Sequence, residues 1–313
     1  MARAFVFPGQ GSQAVGMGRE LAGAFSAARD VFAEVDEALQ QNLSRLMFDG
    51  PEADLTLTEN AQPALMAVSM AVVRVLEIEG GVKLPQACSF VAGHSLGEYS
   101  ALAAARTFTL ADTARLLKIR GQAMQKAVPV GEGAMAALLG MDLSVALDVA
   151  KEAAQGDVCE VANDNGGGQV VVSGTKAAVE RAIQIAAGKG AKRSVLLPVS
   201  APFHCALMQP AADAMAEAFG KVEMIAPCVP LVANVTANRT SSADEIRDLL
   251  VKQVTGTVRW RECVLYMKEQ EVDSLVELGS GKVLSGLAKR IDKAVAGTAL
   301  NTPADIEAFL KSL

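Results

Sequence analysis

The stretch VAGHSLGEY, residues 91–99, constrains this chain more than any other nine residues in it. A short apolar run, SFVA at 89–92, leads into it, and a helix-forming run over 96–105 leaves it. A serine between two glycines at such a junction is the pattern of a nucleophile elbow, a sharp strand-to-helix turn that lifts the hydroxyl above a sheet. Gly93 and Gly97 leave room where side chains would clash. The N–H of Leu96, at the start of the helix, faces any oxyanion formed beside Ser95. The same pattern also suits a plain tight turn with a solvated serine. A base within reach separates the two, because a serine hydroxyl is a poor nucleophile until its proton is taken.

The chain has two histidines. His94 is the neighbour of Ser95, and adjacent residues at the apex of a tight turn point in different directions. His204, in SAPFHC (200–205), follows the serine in the chain, as the base does in α/β hydrolases. His204 is therefore expected to be the base, with His94 packing or supporting the elbow. A histidine held only for structure is the alternative at 204. No third member stands out. Asp273, Glu277 and Gln253 all lie in the right part of the chain, and an amide or backbone carbonyl can orient a neutral imidazole, though it stabilises an imidazolium less than a carboxylate does.

The order of elements predicts an α/β fold. AFVF (4–7) reads as a strand, 18–41 and 61–79 as helices, and 110–127 as a helix opened by Thr109 three residues before Asp112. Then GAMAALLGM (133–141), 142–155, CEVAN (159–163), QVVVSG (169–174), 175–190 and KRSVLLPVS (192–200) follow as β-α-β-β-α-β, the ferredoxin-like order. An insert of that kind, 128–200, leaves 1–127 and 201–313 to form one larger α/β-hydrolase-like lobe with a parallel sheet. PLVANVT (230–236) and SLVELG (274–279) are expected as further strands of it, with SADE (242–245) capping a helix between them. FPGQGSQAVGMG (7–18) lacks the G-x-G-x-x-G spacing and the later acidic residue of a dinucleotide loop. A loop there can instead offer the N–H of Gln10 as a second oxyanion donor. The glycines at 166–168 read as a hairpin turn.

Composition removes several classes of function. A formal net charge of −6 argues against a nucleic-acid binder, so an anionic partner must be met by a local basic patch. The five cysteines, Cys88, Cys159, Cys205, Cys228 and Cys263, have neither zinc spacing nor a disulfide framework, and their odd number suits a reducing compartment. MARAFVFPGQG reaches Pro8 and Gly9 too soon for a signal-peptide core, and ALMAVSMAVVRVL (64–76) is interrupted by Arg74 and too short to span a bilayer. A cytoplasmic α/β protein is expected.

FPGQGSQAVGMG, GHSLGE, IRGQAMQKAVPVGEGAMAALLG, NDNGGGQVVVSG, PFH, QVTGTVRW and ELGSGKVLSGLAKRI, in that order and over nearly the whole length, resemble the malonyl-CoA–acyl carrier protein transacylases of bacterial fatty acid synthesis. The resemblance implies Ser95 as nucleophile, His204 as base, and Gln10 and Leu96 as backbone donors to the oxyanion. It places Gln253 beside the histidine in place of a carboxylate. Arg120 matches the arginine that holds the substrate's free carboxylate, and Phe203 the malonyl-selective position of modular polyketide relatives. A guanidinium fork suits a carboxylate, whereas an acetyl group would leave it desolvated without a partner. Two departures stand out: Ser280 where proline is common, which would loosen that loop, and Cys205 directly after the base, either reactive or merely packed.

What the resemblance implies is a two-step transfer through a malonyl-serine ester, from coenzyme A to the phosphopantetheine thiol of acyl carrier protein, with no cofactor and no metal. A monomer is expected, meeting neither nucleic acid nor membrane. Acyl carrier proteins are acidic, so Lys189, Lys192, Arg193, Lys282, Lys289 and Arg290 are candidates for a basic rim. A serine esterase or thioesterase using water, a polyketide-pathway malonyltransferase and a non-catalytic carrier-protein scaffold are the rival readings.

Overall fold

The structure is a computed structural model that describes residues 2–199 and 201–313. Ser200, which closes the expected strand at 192–200 and opens SAPFHC, lies outside the described residues, as does Met1. The first two strands are β1 (Ala2–Phe7) and β2 (Phe90–Gly93). Next come β3 (Gly133–Leu139), β4 (Cys159–Asp164), β5 (Gln169–Thr175) and β6 (Arg193–Leu196). The set closes with β7 (Leu231–Val232), β8 (Arg239–Thr240), β9 (Val272–Leu278) and β10 (Ala296–Leu300).

These strands make two sheets. The larger runs β10-β9-β1-β2-β7-β8 and is parallel except for its last pair. The smaller runs β4-β5-β3-β6 and is antiparallel throughout, closing the expected β-α-β-β-α-β unit into one sheet. Alternation along β1 explains why its buried part, Ala4 to Phe7, is wholly apolar. Phe5 and Phe7 enter one core with the helices Ser26–Leu39, Thr58–Ile78 and Leu110–Ala127, while Ala4 and Val6 enter another with Trp260, Val264 and Leu287. A parallel sheet covered on both faces reads as a continuous apolar run. The helices Leu143–Ala154 and Lys176–Gly188 cover the smaller sheet through Ala146, Val149, Val179 and Ala182.

The helix Thr58–Ile78 agrees with the expected 61–79 to within a few residues and takes in Arg74, which lies at a half-buried edge near Glu77 and does not interrupt it. By length and apolarity it could cross a membrane, yet 83% of its most apolar window is buried among the other helices. It is the central core helix.

Several expected elements are shorter or broken. The helical stretch 18–41 divides into Arg19–Ala24 and Ser26–Leu39 at Phe25, whose backbone is extended. PLVANVT yields only the two residues of β7, since Asn234 leaves the ladder to bond the elbow, and the chain returns antiparallel as β8, which the sequence did not suggest. KRSVLLPVS is a strand only to Leu196; Pro198 has no N–H for a ladder, and Leu197, Pro198 and Val199 line a cavity instead. Thr109 and Ser242 cap their helices as expected, accepting from the N–H groups of Asp112 and Glu245. Gly166, Gly167 and Gly168 form the hairpin, all three left-handed.

Candidate active site

Ser95 stands where β2 gives way to the helix Gly97–Ala104, with φ +53°. A left-handed serine costs about 1–3 kcal/mol and persists only where its surroundings dictate it. Here both backbone groups are held. The Ser95 N–H donates to Asn234 Oδ1 at 2.8 Å, and its carbonyl accepts from Gln253 Nε2 at 2.9 Å. A Cβ on Gly93 would lie 1.9 Å from the Gly97 carbonyl carbon, and one on Gly97 would lie 2.2 Å from the Phe7 oxygen. Only glycine fits at either position.

His204, left-handed itself at φ +58°, places Nε2 2.7 Å from Ser95 Oγ. Its Nδ1 lies 2.8 Å from the backbone carbonyl of Gln253. A carbonyl can only accept, so Nδ1 carries the proton and Nε2 is left to accept from the serine hydroxyl. It is the main chain of Gln253, not its amide, that faces the imidazole. Asp273 is exposed, and the buried Glu277 accepts from the N–H groups of Leu284 and Ser285 at the start of the helix Val283–Ile291. His94 packs against Trp260 and contacts Asn165 Oδ1 through Nε2 at 2.9 Å, tying the elbow to the smaller sheet's hairpin.

Burial, then the nearby Arg120 cation, push the His204 pKa from 6.5 down to about 3, against the pull of the Gln253 carbonyl. A lowered histidine pKa keeps the ring neutral, and so able to take a proton, at every pH above that value. The kcat/KM of serine acylation, which reports the free protein, is expected to stay level from about pH 8 to about pH 5. Arg120→Gln removes the repulsion and is expected to move the acid limb upward. Stopped-flow acylation across pH measures both, and a wild-type limb at the ordinary histidine value would contradict the expectation.

Arg120, on the helix Leu110–Ala127, is buried. Its Nη2 donates to Gln253 Oε1 at 2.9 Å and to Ser95 Oγ at 3.1 Å, its Nη1 donates to Gln62 Oε1 at 2.8 Å, and its guanidinium lies 5.4 Å from the Tyr99 ring centroid. Gln62 is fixed in turn by Thr58, whose hydroxyl donates to Gln10 Oε1 at 2.9 Å. Among the described residues no carboxylate lies within ion-pair distance of Arg120, and its Nε has no acceptor. The guanidinium remains charged even so.

Ser95, His204 and Arg120 open onto one cavity of about 510 Å³ between the two sheets. Gln10, Leu96 and Phe203 also line it, with Met135 from the smaller sheet and Leu197 just beyond the end of β6. Among the described residues, the N–H groups of Gln10 and Leu96 have no protein acceptor. Behind the elbow lies a group the sequence reading missed. Glu98, buried, accepts at Oε2 from the Asn234 N–H and from Gln253 Nε2, each at 3.0 Å. Burial raises its pKa to about 7, against those two bonds and Arg120. Protonation at the partner-free Oε1 leaves both bonds at Oε2 in place. An acidic residue among the eight buried positions of Gly97–Ala104 was the available signal.

The pattern of the acyl transferase domain family matches residues 4–294. A curated relative from Escherichia coli K12, malonyl CoA-acyl carrier protein transacylase, is 47% identical over 98% of both chains. The chain belongs to the malonyl CoA-acyl carrier protein transacylase family. Within that family, the acyl-carrier-protein-S-malonyltransferase of Bartonella henselae has a crystal structure 57% identical to this chain, with a TM-score of 0.97 over 100% of this chain and 99% of that one. A malonyl-transacylase solved in complex with a type II PKS acyl-carrier protein is 44% identical, with a TM-score of 0.97 over 100% of both chains.

The two departures noted in the sequence find places in this fold. Ser280 Oγ donates to the Ser12 carbonyl at 2.7 Å, so the serine ties its loop to the first glycine-rich loop rather than loosening it. Cys205 is buried, donates to the Pro202 carbonyl, and has its thiol pushed up to about 11, which leaves little thiolate to react.

Proposed function

We propose that the chain transfers a malonyl group from malonyl-CoA to the phosphopantetheine thiol of acyl carrier protein, supplying malonyl carrier protein for fatty acid synthesis. One observation carries the substrate class. A buried guanidinium with no carboxylate within ion-pair distance among the described residues faces the cavity and touches the serine hydroxyl. An unmatched buried cation is costly, and a carboxylate at the far end of the acyl group supplies the missing anion.

Ser95 Oγ attacks the thioester carbon as His204 Nε2 takes its proton. The oxyanion is met by the N–H groups of Gln10 and Leu96, and Phe203 closes the acyl pocket. Collapse breaks the carbon–sulfur bond, and His204 returns the proton to the departing coenzyme A thiolate. The phosphopantetheine thiol then gives its proton to the same imidazole and attacks the malonyl-serine ester; the serine carbon–oxygen bond breaks, the malonyl group leaves on the thiol, and His204 returns the proton to Ser95 Oγ. Every proton and leaving group is accounted for without a cofactor. Carrier proteins are acidic, and Lys192, Arg193, Lys282, Lys289 and Arg290 are exposed, whereas Lys189 is engaged by Glu152 at 2.8 Å. We take residues 128–200 as the smaller subdomain, inserted into the lobe of 1–127 and 201–313, and the whole as a cytoplasmic monomer.

Removing the guanidinium tests the substrate class. Arg120→Ala is expected to lower kcat/KM for malonyl-CoA about 10- to 100-fold, as for a charge-assisted pair of roughly 1.5–3 kcal/mol, and to raise acylation by acetyl-CoA relative to malonyl-CoA. Competition between the two thioesters, read by intact mass spectrometry of the protein, reports the ratio. An unchanged ratio removes the case for malonyl.

A further inference from the structure

Gln253 spans the imidazole and a carboxylate: its backbone carbonyl faces His204 Nδ1, and its side-chain amide bonds Glu98. The same carboxylate oxygen holds Asn234 through its N–H. Between them Gln253 and Asn234 take the N–H and the carbonyl of Ser95, the carbonyl of Gly93 and one arm of Arg120. Glu98, Asn234 and Gln253 are all buried, so water does not compete for these bonds.

We propose that Glu98 is a positioning residue for acyl transfer, fixing the left-handed backbone of Ser95 and the Gln253 carbonyl behind His204 through one carboxylate oxygen. The proposal rests on the reading of Ser95 as nucleophile. Glu98 stands three residues beyond Ser95 on the helix that the elbow starts, so its carboxylate and the serine belong to one rigid segment. The partners it grips come from two distant stretches of chain and also bond the Ser95 backbone directly, so the carboxylate anchors the two residues that hold the elbow. Without that acceptor, two buried donors lose a bond, and Asn234 and Gln253, which hold the left-handed serine backbone, lose their common anchor. The hydroxyl then drifts from the imidazole, and a displacement of about 1 Å in a reacting group can cost on the order of 100-fold in rate.

The test compares Glu98→Ala with Glu98→Gln in the full chain, measuring the rate of malonyl-serine formation by quenched-flow mass spectrometry. Rates are taken per protein molecule able to form the adduct at end point, so misfolded molecules do not count. Glu98→Ala is expected to acylate about 100-fold more slowly at saturating malonyl-CoA, with half-saturation within about threefold of wild type because Gln62 still holds Arg120 through Nη1. Glu98→Gln, whose amide oxygen accepts the same two bonds, is expected to recover to within about tenfold of wild type. If Glu98→Ala fails to fold, Glu98→Met, similar in size and without an acceptor oxygen, replaces it. Wild-type rates in the variant lacking the acceptor overturn the proposal, as does a glutamine variant no faster than that one. A wild-type protein that forms no adduct overturns the reading of Ser95 instead.

Discussion

Ser95→Ala is expected to leave no covalent malonyl adduct, and both Ser95→Ala and His204→Ala to lower transfer to carrier protein by at least about 10⁴-fold. The two losses should be of similar size and should not add in the double variant, because hydroxyl and imidazole act as one unit. Their 2.7 Å separation and the fixed tautomer of the ring are the basis. Alanine at 95 removes the atom that forms the ester, and what remains is whatever the oxyanion donors and Arg120 accomplish with a bound thioester. Alanine at 204 leaves the hydroxyl in place, but its other polar neighbour, Arg120 Nη2, can only donate and cannot take the proton. Adduct by intact mass spectrometry and transfer by carrier-protein mass shift measure the two steps separately. A His204→Ala protein acylating at more than a hundredth of the wild-type rate would mean that another group takes the proton.

How much of this was legible in the sequence follows from which forces are local. The elbow needs Gly93 and Gly97 for steric reasons confined to nine residues, so its pattern can be read directly. His204 was reachable by elimination in a chain with two histidines. The support behind them was not. Gln253 orients the ring with a backbone carbonyl, which any residue type possesses, so no side chain signals it. Asn234 and Glu98 meet across 136 positions, a pairing that depends on where the loop after β7 is laid. The same bonding cut short the strand expected at 230–236: its alternation was apolar enough for a ladder, but its asparagine is occupied at Gly93 and Ser95. The layered α/β order was legible because burial on both faces of a parallel sheet leaves a continuous apolar run in β1 and β2.

Gly93→Ala is expected to destabilise the fold by more than about 4 kcal/mol, the upper tail of single substitutions, lowering the melting temperature by on the order of 10 °C. The new methyl carbon would meet the Gly97 carbonyl carbon at 1.9 Å, its oxygen at 2.0 Å and the Glu98 nitrogen at 2.4 Å, all of them backbone. A side chain in the way can rotate; these atoms open the helix Gly97–Ala104 and cannot move without carrying Ser95 and Glu98 with them. The strand end has no more freedom, since the His94 N–H donates to the Phe7 carbonyl at 3.0 Å and the Gly93 carbonyl accepts from Asn234 at 2.7 Å. Relief by tilting the helix therefore sacrifices the elbow, and relief by shifting β2 sacrifices its register against β1. Gly23→Ala is the matching control: it lies in the helix Arg19–Ala24, nothing would come within 4 Å of its Cβ, and alanine there is expected to add roughly 0.5–1 kcal/mol of stability. Urea unfolding of the two variants side by side, with the acylation rate measured on whatever folds, separates the cases. Equal midpoints, or a Gly93→Ala protein that acylates normally, would show that the junction has room the close approach of its backbones denies.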